Sequence, residues 1–157
     1  MDLKLNEIFL EYDKNWQLLY DLFENLPEDK LSWTVSEENR TLKQLLAHIA
    51  GIEKCYLEVV KQGAVGWKHC HMEKERSKLS KDELLKLYKD SHEKLEKEIE
   101  ERDPNEKVDW TQGIFLALTE HLADLNKQSL FHQGQLVVYV RELGHEYFPD
   151  SWGVWGY

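Results

Sequence analysis

Apolar residues recur at steps of three and four along four long stretches of the chain, the spacing of amphipathic helices. In the first stretch Leu5, Ile8, Phe9, Tyr12, Trp16, Leu19 and Phe23 form one stripe, and Pro27 with the polar residues after it predicts the end. Residues 26–40 read as a connection, with Leu31 and Trp33 folded against the core. Thr41 is a good N-cap for a second helix carrying Leu42, Leu45, Leu46, Ile49, Ile52, Tyr56 and Val59, which Gly63 and Gly66 stop. Ser80 and Glu83 have capping-box spacing and open a third helix with Leu84, Tyr88, His92, Leu95 and Ile99. Asp103-Pro104-Asn105 breaks it. The fourth helix is predicted over roughly 114–143, with Leu118, Leu122, Leu125, Ser129, His132, Leu136, Tyr139 and Leu143 on its stripe and Gly144 as its stop.

No stretch reads as a strand. Residues 63–79, rich in His and Lys, form the longest connection, and a crossover there lets the third helix run parallel to the second. Trp152, Trp155 and Tyr157 in the tail, 145–157, are expected to pack back onto the bundle. The expectation is an all-α four-helix bundle with a long crossover between helices 2 and 3, as one domain over 1–157.

Composition narrows the function classes. Hydrophobic residues make up 41% of the chain, enough for a packed core and too many for a disordered one. No apolar run is long enough to span a bilayer, and the N-terminus lacks a basic region followed by an apolar one, so neither a membrane segment nor a signal peptide is expected. A formal net charge of −10 without a basic stripe argues against nucleic acid as a partner. Cys55 and Cys70 do not make a disulfide framework, and the expectation is a cytoplasmic protein with both thiols reduced, Cys55 serving as a small buried hydrophobe.

Polar residues that interrupt an apolar stripe point inward, where they cost free energy unless paired or bound to something. His48 lies three residues after Leu45 and four before Ile52. His132 lies between Ser129 and Leu136, with Gln128 one turn earlier on the same face. Side chains four apart on a helix can converge on one metal ion.

The strings around these residues are informative. Thr41-Leu42-Lys43-Gln44-Leu45-Leu46-Ala47-His48-Ile49-Ala50 followed by Glu53, and Phe131-His132-Gln133-Gly134-Gln135 followed by Val140-Arg141-Glu142-Leu143-Gly144, resemble the second and last helices of the DinB-like superfamily. Helix order, the long second connection and Trp33 ahead of the second helix extend the resemblance over most of the chain. It implies a four-helix bundle, usually a homodimer, whose metal is held by one histidine from the second helix and two, four residues apart, from the last. Members with known activity include thiol-dependent transferases and isomerases, and others are described as metal-dependent hydrolases. Carried onto this sequence, the first and third ligands fall on His48 and His132 and the second on Gln128. An amide oxygen is a weaker ligand for zinc, nickel or manganese than an imidazole.

Around that site, Glu53 or Gln135 is expected to orient ligands, and His92 is an alternative third ligand. His121 lies about 16 Å along the helix from His132 at ~1.5 Å per residue, too far to substitute for a ligand, and beside Glu120 and Asp124 it reads as a solvated or rim residue. His69-Cys70-His71 lacks a second ligand pair at finger spacing and reads as an exposed loop. No nucleophile elbow, phosphate loop or dinucleotide fingerprint is present. Two functions follow: a divalent-metal-dependent transferase or hydrolase acting on a small molecule, with a thiol cofactor, or a non-catalytic helical ligand-binding or dimerisation protein that has lost the metal.

Overall fold

The computed structural model describes residues 2–156; Met1, Tyr157 and the side chains of Val154 and Trp155 are outside the description. The predicted packing of Trp155 and Tyr157 therefore falls outside the described residues. Helix α1 spans Leu3–Asn25, capped by the Asp2 carboxylate, which accepts from the Lys4 amide at 2.9 Å. Helix α2, Leu42–Gln62, opens with a capping box in which Thr41 and Gln44 bond each other's amides. A ten-residue 3-10 segment, Gly63–Met72, and a short helix α3, Glu73–Arg76, carry the chain to α4, Lys81–Ile99, whose Ser80/Glu83 capping box is formed as predicted. Helix α5 spans Leu118–Leu143 and ends at Gly144.

Contacts between helices fix their directions. α1 and α4 are antiparallel: Lys81 donates to the carbonyls of Glu24 and Leu26, and His92 meets Asp13. α2 and α4 run parallel, since His92 meets Glu53 and Arg102, just past α4, donates to the Val60 carbonyl. α5 is antiparallel to α2, pairing Asp124 with Tyr56 and Tyr139 with the Arg40 carbonyl. α1 and α5 are parallel, with Asn15 on Asn126 and Asn25 on the Tyr147 carbonyl. The predicted crossover is real, and the bundle runs up, down, down, up. The predicted stripes are its core: Leu5, Phe9, Tyr12, Leu45, Leu46, Leu84, Tyr88, Leu95, Leu122 and Leu136 are all buried. Trp152 of the tail is buried as well, its indole donating to the Leu18 carbonyl at 2.8 Å. Among the described residues no helix is long and apolar enough to cross a membrane.

One element departs from expectation. Residues 107–117 form an antiparallel hairpin, β1 Lys107–Thr111 and β2 Ile114–Ala117, so the last helix starts at Leu118 and not near 114. Gln112 and Gly113 both take positive φ, 38° and 92°, in the two-residue turn whose twist suits paired strands. The signal was present: Lys107-Val108-Asp109-Trp110-Thr111 alternates polar and apolar. The apolar run Ile114-Phe115-Leu116-Ala117 hid it by continuing smoothly into the helical stripe.

Candidate functional site

His48 sits on the shoulder of α2, partly exposed, and His132 is buried on α5. Because these helices are antiparallel neighbours, the two rings meet: their centres are 5.1 Å apart with planes at 82°. The Nδ1 of His132 faces the amide oxygen of Gln135 at 3.2 Å, so Gln135 orients it as expected. The Nδ1 of His48 faces Glu73 Oε2 at 3.3 Å. With an acceptor opposite each Nδ1, the ring protons are assigned there, leaving each Nε2 a lone pair. The Nε2 of His132 is buried and has no hydrogen-bond partner among the described residues.

The electrostatics keep both rings neutral. Burial lowers the pKa of His132 to about 4, and neighbouring His48 and Arg40 add to that lowering. Burial and the Arg40 charge also lower His48, so its contact with Glu73 is that of a neutral imidazole rather than an ion pair. Burial alone raises the Glu73 carboxyl, but hydrogen bonds and charge from Arg40 outweigh it and leave Glu73 below the usual range. Arg40 grips Glu73 bidentately, Nε to Oε1 at 2.8 Å and Nη2 to Oε2 at 3.0 Å.

Neither Glu73 nor Arg40 was found from the sequence. Glu73 lies in the crossover, and its role depends on that segment folding back onto α2. Arg76 makes it do so. Its buried guanidinium donates to the carbonyls of Ala47 at 2.9 Å, Cys70 at 3.5 Å and His69. Gly51 clears the space, since a Cβ there would lie 2.0 Å from Arg76 Nη2.

Other predicted residues fall elsewhere. Gln128 is half-buried on α5, one turn before His132. Glu53 does not support the histidine pair. It is buried on the side facing α1 and α4, where Tyr12 donates to its Oε2 and His92 Nδ1 lies 3.2 Å from its Oε1. His92 is thereby occupied, with Asp13 2.9 Å from its Nε2 and Trp16 stacked on it at 4.2 Å between ring centres, which removes it as an alternative ligand. Burial lowers the His92 pKa, but Glu53 and Asp13 outweigh it and raise the net value. His121 is not a rim residue: it is fully buried, its Nε2 3.2 Å from the Tyr56 carbonyl, and burial lowers its pKa to about 4. The expectation of two reduced cysteines is also corrected, because Cys55 and Cys70 are joined as a disulfide with Cα atoms 6.0 Å apart.

The donor set fits a divalent ion in part. Two imidazoles converge with their Nδ1 positions satisfied, the arrangement that orients histidine ligands in metal sites. Among the described residues, however, no three His, Cys, Asp or Glu side chains are grouped to hold a metal. A cavity of about 630 Å³ lies along α1, lined by Asp13, Asn15, Leu18, Leu130 and others, and neither His48 nor His132 borders it.

Comparison with known proteins agrees with this architecture. The family model described as the DinB family matches residues 1–152. The chain belongs to the DinB family. Within reach of it is the uncharacterized protein YjoA of Bacillus subtilis (strain 168), 23% identical over 146 residues, covering 92% of this chain and 94% of the relative. Among solved structures, a mycothiol-dependent maleylpyruvate isomerase superposes with a TM-score of 0.69 at 16% identity, covering 82% of this DinB-family chain and 58% of that enzyme's. At that identity the likeness is one of fold, and the chain spans little more than half of the enzyme.

Proposed function

We propose that this DinB-family protein is a divalent-metal-dependent transferase or hydrolase acting on a small molecule, with a zinc, nickel or manganese ion held by His48 and His132 and completed by Gln128. The observation that carries the reading is the buried, unpartnered Nε2 of His132 beside a second imidazole whose Nδ1 is likewise occupied. When bound, such an ion supplies Lewis acidity at neutral pH. The protein's own contribution is orientation: Glu73 and Gln135 fix the two rings, and burial keeps them deprotonated and ready to ligate. A thiol cofactor is supported by the mycothiol dependence named for the structural neighbour. The same reading treats 1–157 as one domain, cytoplasmic and homodimeric. The exposed Leu10 on α1 and Leu130, Phe131 and Val138 on α5 are the apolar surface that supports a second copy.

A second reading has its own observation. Burial lowers the pKa of both histidines, and the Arg40 guanidinium, tied to Glu73, adds to it, a fixed positive charge that disfavours a cation beside them. With an amide where a third imidazole is usual, this favours a non-catalytic ligand-binding or dimerisation protein. Elemental analysis of untagged protein separates the two. Near-stoichiometric zinc, nickel or manganese, lost in His48→Ala, supports the enzyme; metal-free protein whose melting temperature ignores added divalent ions overturns it.

A further inference from the structure

We propose that Cys55 and Cys70 form a reversible redox clamp that, together with Arg76 and Arg40, locks the crossover onto α2 and helps to keep Glu73 against His48. Cys55 is fully buried on α2, whereas Cys70 lies near the end of the 3-10 segment and is half-buried. The segment Gly63–Met72 buries little of itself: Gly66 is its one buried residue. A Cβ at Gly66 would lie 2.5 Å from the Val59 amide, so the segment lies close on α2. Its other anchors are Trp67, edge-on to Tyr56 at 5.2 Å and donating to the Trp110 carbonyl, and Arg76, which bonds the carbonyls of His69 and Cys70. The segment fully buries only Gly66, and wherever such a surface segment opens locally a covalent tether sets how often it does. Glu73, which Arg40 also holds, follows Cys70 by three residues, so loosening the segment at Cys70 removes one of the restraints on the carboxylate that faces His48 Nδ1 at 3.3 Å.

The chemistry requires only thiols. The thiolate of a low-molecular-weight thiol attacks the more accessible sulfur, that of Cys70, forms a mixed disulfide and displaces Cys55 as a thiolate, which takes up a proton. A second small thiolate attacks the small thiol's sulfur in that mixed disulfide and frees Cys70, which is protonated in turn. The protein disulfide gains two electrons and two protons, and two small thiols become one small disulfide. Oxidation is the reverse, with the small disulfide as oxidant.

The test uses metal-free full-length protein, so it is independent of the metal reading above. Thiols are counted after denaturation, backbone hydrogen exchange is followed over 63–76, and the His48 ring signal is observed by NMR at fixed pH, with dithiothreitol or with oxidised glutathione. The clamp predicts no free thiols when oxidised and two when reduced, exchange over 63–76 about tenfold faster on reduction, since a tether's loss shifts local opening, and a displaced His48 signal. Cys70→Ser, which retains only Cys55, should match the reduced protein in exchange and in its His48 signal in both conditions. Two thiols persisting in oxidant, equal exchange in both states, or a His48 signal indifferent to reduction would each overturn it.

Discussion

His48 and His132 stand edge to face with 5.1 Å between ring centres, and each presents its Nδ1 to a side-chain oxygen, Glu73 for one and Gln135 for the other. In the proposed metal site the third ligand is Gln128, one turn before His132. Gln128→His is expected to tighten zinc binding by about tenfold or more, because an imidazole replaces a weak amide oxygen. Isothermal titration of both proteins with zinc measures it, and an unchanged affinity would place residue 128 outside the site.

Glu73 should matter to the same site without being one of its proposed ligands. Glu73→Gln keeps the shape but removes the charge facing His48 and Arg40. A weakening of zinc affinity by about 10- to 100-fold is expected, the usual effect of losing a carboxylate behind a ligating histidine. No loss in a competition titration would detach Glu73 from His48.

The cluster of Tyr12, Glu53, His92 and Asp13 lies between α1, α2 and α4. His92→Leu would leave the Glu53 carboxylate buried with Tyr12 alone, at a cost of about 3–5 kcal/mol in urea unfolding. Adding Glu53→Gln removes the stranded charge, so the double variant should lose less than the sum of the two single changes.

His121 predicts a pH dependence of definite sign. Its folded pKa, about 4, lies below the ordinary 6.5, so the unfolded chain binds the proton more readily. Its contribution is present above pH 6.5 and is lost as the pH falls towards 4, where it costs about 3 kcal/mol. His121→Gln, whose amide can still reach the Tyr56 carbonyl, should lose that much less stability between pH 7 and pH 4 in guanidinium titrations. Parallel curves for the two proteins would contradict the assignment.

Gly51 is a steric requirement. Gly51→Ala drives a methyl group into the Arg76 guanidinium and should destabilise by about 1–3 kcal/mol. In an Arg76→Ala background the same change should cost much less, and equal costs in the two backgrounds would refute the clash.

The helices, their caps and the meeting of His48 with His132 were legible because each depends on local periodicity or on two long helices packing by their apolar stripes. Thr41 with Gln44, and Ser80 with Glu83, announce their helices within four residues. What escaped depends on distant parts of the chain. Glu73 acquires meaning only when Arg76 draws the crossover back to Ala47, and Glu53 only when α1 and α4 deliver Tyr12 and His92 to it. His121 was misjudged from its acidic neighbours Glu120 and Asp124, although Asp124 turns to Tyr56 and leaves the imidazole sealed inside. The cysteine pair was invisible for the same reason, since the crossover's path decides whether its sulfur reaches α2.

The parallel pairing of α1 with α5 bears on how the chain is made. Asn15 meets Asn126 across 111 residues of sequence, so the first helix leaves the ribosome long before the last one exists to cover it. At ordinary elongation rates that interval is on the order of 10 s. For that interval the face of α1 that carries Asn15 waits uncovered, the kind of exposure that holding chaperones shield.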